Sequence, residues 1–165
     1  MDAKKLGEDN KATAQYIKKT IDIIKGPSEE SSPPKSSPKK SDILKIQGNN
    51  CMAQKMYDKA IDYYTRAIEV ARDDDPNMYV YYSNRAAALC FMQDYQQASE
   101  DATIAIELKP DYGKAYARLG LSLFFLCRYA EAKDAYETAL EYEPHNKASL
   151  SYLKKAKEKL QEEHY

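Results

Sequence analysis

Tryptophan is absent from this chain of 165 residues, and histidine, cysteine and glycine are scarce, at two, three and five. Each shortage closes off a class of chemistry. The histidines, His145 and His164, both lie in the C-terminal fifth, so no Ser/His/Asp or Cys/His catalytic set assembles around them. Cys51, Cys90 and Cys127 are odd in number and lack metal-ligand spacing. They read as free thiols in a reducing compartment, small hydrophobes within helices. So few glycines leave little material for a phosphate-cradling loop. No apolar run approaches the ~18 residues of a membrane span, and the N-terminus has no signal-peptide core. Lys and Arg total 25 against 26 Asp and Glu, a formal charge of −1, so the bulk charge calls for neither nucleic acid nor an anionic membrane. No cofactor and no metal site is expected. What remains is 43% hydrophobic residues, 31% charged residues and 15 tyrosines, enough for one domain of ~100–200 residues with a tail.

The charge is unevenly placed. Residues 1–41 carry nine Lys against six acids, net +3, and residues 42–165 carry 16 basic against 20 acidic residues, net −4. Ten of the 16 residues at 26–41 are Ser or Pro and none is a large apolar residue. Such a stretch cannot bury enough surface to offset its ordering entropy, and it reads as a disordered linker. Within it, Ser32-Pro33-Pro34-Lys35 and Ser37-Pro38-Lys39-Lys40 resemble proline-directed kinase sites, which makes Ser32 and Ser37 candidate phosphorylation sites. The plain alternative is a spacer kept soluble by its lysines. Ahead of the linker, residues 1–25 form a tail in which Ala14, Ile17, Ile21 and Ile24 recur at helical spacing. One short amphipathic helix near 13–25 is expected, and it needs a partner surface. A homodimer through this stripe is one way to supply that surface.

The rest of the chain repeats itself. Pro76, Pro110 and Pro144 are spaced 34 and 34 apart. Met56-Tyr-Asp-Lys-Ala-Ile61, Asp94-Tyr-Gln-Gln-Ala-Ser99 and Arg128-Tyr-Ala-Glu-Ala-Lys133 are one motif written three times. Small residues recur at Gly48, Ala86 and Gly120, at Ala60, Ala98 and Ala132, and at Ala67, Ala105 and Ala139. The step is 38 from the first unit to the second and 34 from the second to the third. The four extra residues fall in Ile68–Asp75, where a second helix longer by about one turn would absorb them. A 34-residue period with this pattern resembles the tetratricopeptide repeat (TPR), over residues 42–146. The resemblance implies an all-α, right-handed superhelical solenoid: repeats at 42–78, 79–112 and 113–146, then a capping helix at 147–165. The physics agrees. Small residues let two helices approach closely, and no single hairpin buries its own apolar face, so the units stack. In the capping helix, Leu150, Leu153 and Leu160 form one side and a Lys/Glu-rich remainder the other.

A helical wheel separates packing from binding. With each repeat numbered from Ser41, Tyr79 and Gly113, positions 4, 7, 8 and 11 of the first helix are packing positions. Positions 2, 5, 6, 9, 12 and 13 form a second face, which packing within the pair does not use. In a TPR superhelix that face lines the concave groove. It carries Lys45 and Asn49 from repeat 1, Asn84 from repeat 2, and Lys114 and Arg118 from repeat 3. Each of the two same-helix pairs points one way, being spaced i,i+4. Three cations and two amides on one face make a local anion site within an acidic domain, with the donors that carboxylates require. A lone exposed lysine is usually just solvated; the full set is a different observation. Met52, Ala87, Cys90, Leu121 and Phe125 are candidates for an apolar wall along the groove. For Met52, Cys90, Phe91, Phe124 and Phe125 the blander reading is inter-repeat core. Arg85 points off the groove, toward an ordinary surface or inter-helix role.

The five polar residues resemble the two-carboxylate clamp of chaperone-binding TPR domains: Lys45-Ile-Gln-Gly-Asn49, Ser83-Asn84-Arg85-Ala86-Ala87-Ala88 and Lys114-Ala-Tyr-Ala-Arg118. The Asn-Arg-Ala-Ala-Ala stretch and Lys-Ala-Tyr-Ala-Arg-Leu-Gly-Leu look most like the small glutamine-rich TPR co-chaperones (SGT type). That family's Gln/Met-rich C-terminal region is missing here, and its N-terminal dimerisation domain is longer than residues 1–25. The resemblance implies a co-chaperone adaptor that grips the C-terminal Glu-Glu-Val-Asp of the 70- and/or 90-kDa heat-shock chaperones. Lys45, Asn49 and Asn84 would hold the terminal α-carboxylate, Lys114 the aspartate side chain, and Arg118 the neighbouring peptide. It implies no enzymatic activity, and a location in the cytoplasm, with the nucleus as a second compartment. Two other readings stay open: the docking module of a longer enzyme, and a scaffold that binds internal peptide segments.

Overall fold

A computed structural model describes residues 37–165. The candidate helix near 13–25, its isoleucine stripe and Ser32 lie outside the described residues. Seven helices follow in order: α1 Lys40–Ala53, α2 Tyr57–Val70, α3 Met78–Phe91, α4 Tyr95–Leu108, α5 Gly113–Phe125, α6 Tyr129–Tyr142 and α7 Lys147–Glu163. There is no strand among the described residues. Every helix packs on the next. In addition α1, α3, α5 and α7 touch one another in a row, whereas α2, α4 and α6 touch only their chain neighbours. The odd-numbered helices therefore form an inner layer and the even-numbered ones an outer layer. This is the expected solenoid of three hairpins, with α7 continuing the inner row.

The repeated small residues explain the close approach. Ala60, Ala67, Ala98, Ala105, Ala132 and Ala139 are all buried. Gly48 faces the ring of Tyr64 so closely that a Cβ there would lie 2.5 Å from it, and at Gly120 the corresponding distance to the Tyr136 ring is 2.9 Å. Repeat 2 has Ala86 and Ala102 at these two positions, both buried. It adds a fork of hydrogen bonds from Arg85 to Asp101, 2.6 and 2.8 Å long, with a third bond from Arg85 to Thr65 on α2 at 3.2 Å. Arg85 is thus an inter-helix bolt, one of the two roles left open by its off-groove position.

Each hairpin turns through the same helix ending. Lys55, Gln93 and Cys127 have φ of 59°, 61° and 60°. The next residues, Met56, Asp94 and Arg128, donate their N–H to the carbonyls of Cys51, Leu89 and Leu123 at 2.8, 3.0 and 2.9 Å. This is the Schellman ending, made here without glycine, at a cost of ~1 kcal/mol or more for each left-handed residue. It corrects the reading of all three cysteines as helix-buried: Cys51 and Cys90 are, but Cys127 is exposed at the turn.

Three further expectations change. The first helix starts at Lys40, inside the stretch read as linker. Ser41 is buried, donates to Asp75 at 3.3 Å and accepts from the Tyr81 hydroxyl at 3.1 Å. Asp42 accepts from Tyr81 at 2.6 Å and from Asn77 at 3.3 Å. These bonds tie the first turn of α1 to the α2–α3 loop and offset its ordering entropy. The four extra residues of repeat 1 do not lengthen a helix: α2 and α4 have 14 residues each, and the insertion lies in the loop after Val70. A run of three aspartates before Pro76 is poor helix material, and Asp75 is more useful as an acceptor for Ser41 and for the Asn77 N–H. On α7, Leu150 is exposed; the face against the solenoid is built from buried Ser149 and Ala156 with half-buried Tyr152, Leu153 and Leu160.

Candidate functional site

The inner row brings α1, α3 and α5 side by side, and the two asparagines meet across the first gap. Asn84 Nδ2 donates to Asn49 Oδ1 at 3.2 Å. The Tyr64 hydroxyl donates to the same oxygen at 2.5 Å from beneath. Burial pushes the Tyr64 phenol well above its ordinary pKa, so it is neutral and able to donate. With its oxygen taken twice, Asn49 presents its Nδ2 as a donor. Lys45 stands one turn earlier on the same helix and is half-buried; Lys114, at the start of α5, is exposed. Among the described residues neither lysine forms an ion pair.

Arg118 sits deeper than a peripheral peptide contact would. Its Nη1 donates to the Lys114 carbonyl at 3.1 Å, and its Nε is buried with no partner. Burial holds the guanidinium below its usual pKa, while the nearby Tyr112, Cys90, Glu143 and Tyr64 pull the other way. A buried cationic donor without an acceptor is expensive unless a ligand supplies one.

Beside Arg118 opens a cavity of about 380 Å³, lined also by Ala87, Cys90, Leu121, Phe125, Phe91, Gln93, Tyr95 and Tyr152. Four of the five candidate wall residues are therefore together. Met52 is not among them. It packs on the core of Cys51, Ala60, Tyr64 and Ala88, because the cavity lies between α3, α5 and α7, away from α1. The phenylalanines serve both readings at once. Phe91 stacks on Tyr57 at 4.5 Å and Phe125 on Tyr95 at 4.7 Å, each joining one hairpin to the next, yet Phe91 remains 60% exposed at the cavity rim. Phe124 turns inward onto Tyr129 and Tyr152. The Cys90 thiol lies 3.4 Å from the Ser122 hydroxyl, and burial raises its pKa, so it behaves as lining and not as a nucleophile.

This arrangement has counterparts among known proteins. The tetratricopeptide repeat profile matches residues 41–74 and 113–146, the two segments that contain the glycine–tyrosine pair. The Sgt2 TPR domain of Aspergillus fumigatus superposes with a TM-score of 0.70 at 40% identity, covering 81% of this chain and 87% of that one. The chain belongs to the tetratricopeptide-repeat family. Its relatives include the SGT proteins: small glutamine-rich tetratricopeptide repeat-containing protein 2 of Mycosarcoma maydis is 42% identical over 121 residues, 73% of this chain and 33% of the relative. The chain spans about a third of the length of these SGT relatives and under a fifth of others that it matches. The first TPR of Spaghetti (RPAP3), solved bound to the HSP90 peptide SRMEEVD, has a TM-score of 0.69 at 37% identity and covers 74% of this chain and 94% of that one.

Within this TPR unit, two contributors escaped the helical-wheel reading. Tyr152 closes the far side of the cavity and packs on Phe124, Phe125 and Tyr136. It lies 34 residues after Arg118, itself 34 after Asn84, so the repeat spacing already assigned α7 a groove position. Tyr64 was the other; in a TPR its place reads as pure core. Ser37 is exposed ahead of α1. Among the described residues no cluster of three His, Cys, Asp or Glu side chains is arranged to hold a metal, and no helix is long and apolar enough to cross a membrane.

Proposed function

We propose that this TPR unit is the chaperone-docking module of a co-chaperone adaptor. It binds the C-terminal Glu-Glu-Val-Asp of the 70- and/or 90-kDa heat-shock chaperones and requires the free terminal carboxylate. Lys45, Asn49 and Asn84 receive that carboxylate, Lys114 the side chain of the last aspartate, and Arg118 the peptide next to it. The neighbouring cavity takes an apolar side chain further up the tail. The observation that carries the proposal is the set of donors left over on one inner face. Asn84 Nδ2 and Asn49 Oδ1 are 3.2 Å apart, that Asn49 oxygen is already used by two donors, two lysines form no ion pair among the described residues, and Arg118 has a buried, unpartnered Nε. A TPR relative bound to a peptide ending in Glu-Glu-Val-Asp supports the same reading. The role is docking and not catalysis, and we place it with those chaperones in the cytoplasm.

The test is a titration with a Glu-Glu-Val-Asp peptide, comparing the parent with the Lys45→Ala/Lys114→Ala double variant. Hydrogen bonds to charged groups contribute ~1.5–3 kcal/mol each, so each lysine is worth about one to two powers of ten in affinity. The double variant should lose measurable binding at concentrations that saturate the parent. Its melting temperature should barely move, because neither substitution opens a cavity. Parent-like binding by the double variant removes the proposal. A short peptide that orders on binding is expected in the micromolar range, about −8 kcal/mol.

A further inference from the structure

Tyr64 and Tyr136 occupy the same place in two repeats, yet their hydroxyls have different fates. Both rings are sealed from solvent, at 1% and 2% exposure, each against a glycine of the preceding helix. The Tyr64 hydroxyl donates to Asn49 Oδ1; the Tyr136 hydroxyl is buried with no partner. The difference follows from one residue. Gly48 is followed by Asn49, and Gly120 by Leu121. An orphaned buried hydroxyl is unfavourable, so the packing itself gains nothing from a phenol over a phenyl ring. In repeat 1 the hydroxyl has a task that repeat 3 lacks.

We infer that Tyr64 is a positioning residue: it sets which end of the Asn49 amide faces the ligand. A primary amide has nearly the same shape after a half-turn, and only its hydrogen bonds distinguish oxygen from nitrogen. Asn49 and Asn84 alone do not break that symmetry, because both amides flipped together would still bond to each other with donor and acceptor exchanged. Tyr64 breaks it. If Asn49 reversed, its Nδ2 could still donate to the phenol oxygen, but the phenol proton would be left buried with no acceptor, and Asn49 would present its oxygen to an incoming carboxylate. With Tyr64 in place, Oδ1 is held inward by two donors and Nδ2 is held ready for an anion.

The inference rests on the proposal that the groove binds a terminal carboxylate, and the experiment separates the two. Calorimetry compares the acid and amidated forms of a Glu-Glu-Val-Asp peptide on the parent, Tyr64→Phe and Tyr136→Phe. The expected result is a fall of about three- to tenfold in acid-form affinity for Tyr64→Phe, the worth of one neutral hydrogen bond. Amide-form affinity should stay unchanged, so the acid-to-amide ratio drops. Tyr136→Phe should match the parent in both. A purely structural role would lower the melting temperature of Tyr64→Phe and leave the ratio intact, and that result overturns the inference. A parent with no acid preference would remove the carboxylate proposal, not this one, because the peptide-free protein offers a second readout. NOEs from the Asn49 Nδ2 protons to the Tyr64 ring should be weak in the parent; strong ones would mean a reversed amide and overturn the assignment.

Discussion

Repeat 2 and its two neighbours solve one packing problem in different ways. In repeats 1 and 3 a tyrosine ring from the outer helix lies on a glycine of the inner helix, Tyr64 on Gly48 and Tyr136 on Gly120. In repeat 2 both positions are buried alanines, and a two-point ion pair, Arg85 with Asp101, fastens the helices at the side. The positions that match this pair in repeat 3 are Leu119 and Ala135, which pack as plain hydrophobes. Three hairpins of one repeat are therefore held by ring burial, by small buried residues with charge, or by ring burial with aliphatic packing. The difference also reaches the groove. The ring in repeat 1 ends on Asn49, whereas repeat 2 has no ring there and offers only Asn84.

The largest way to break this comparison is to unpair Arg85. Its side chain and that of Asp101 are 15% and 4% exposed, and removing one member of a buried pair costs about 3–5 kcal/mol. Asp101→Ala should lower unfolding free energy in urea by that order. A loss under about 1 kcal/mol would mean that the pair acts as a surface contact. Next comes the glycine–ring fit. Gly48→Ala and Gly120→Ala gain ~1 kcal/mol of helix propensity, but each drives a Cβ into a buried ring, and overpacking costs about 1–3 kcal/mol. Net destabilisation is expected for both in thermal melts, with the larger loss of peptide affinity for Gly48→Ala, because there the displaced ring is hydrogen-bonded to a groove asparagine, whereas Tyr136 reaches the groove only by packing on Tyr152. The reverse change in repeat 2, Ala86→Gly, should cost only about the helix propensity, ~1 kcal/mol.

Smaller still, Tyr136→Phe removes an orphaned hydroxyl and should stabilise the protein by up to ~1 kcal/mol. Tyr64→Phe removes a bond and should destabilise it by about as much. Opposite signs for one chemical change would sharpen the comparison; equal signs would break it. Smallest is Cys127→Gly. A left-handed residue gains from losing its Cβ, offset by the added freedom of glycine in the unfolded chain, so a rise of about 0.5 kcal/mol is expected from the melting midpoint.

The fold was legible because a 34-residue period leaves little choice: small residues at fixed sites prescribe close helix pairs, and pairs that cannot bury themselves prescribe a stack. The meeting of Asn49 with Asn84 was legible from the same register. What escaped depended on neighbours from other repeats. Arg118 lies in a cavity shared with Ala87 and Cys90 of α3 and Tyr152 of α7, and no single-helix wheel contains them. Tyr64 looked like core because its ring is core; only its hydroxyl belongs to the groove. Lys40 and Ser41 looked like linker because composition does not reveal that Asp75 and Tyr81 wait to bond Ser41. The extra residues of repeat 1 were assigned to a helix by phase, although their aspartates favour a loop.

The most direct test of the carboxylate-binding groove is calorimetry on the unsubstituted chain with one Glu-Glu-Val-Asp peptide in two forms, free acid and C-terminal amide, at low and high salt. The groove described here predicts micromolar binding of the acid, at least tenfold weaker binding of the amide, and an acid affinity that falls as salt shortens the Debye length. Equal affinity for the two forms would contradict it.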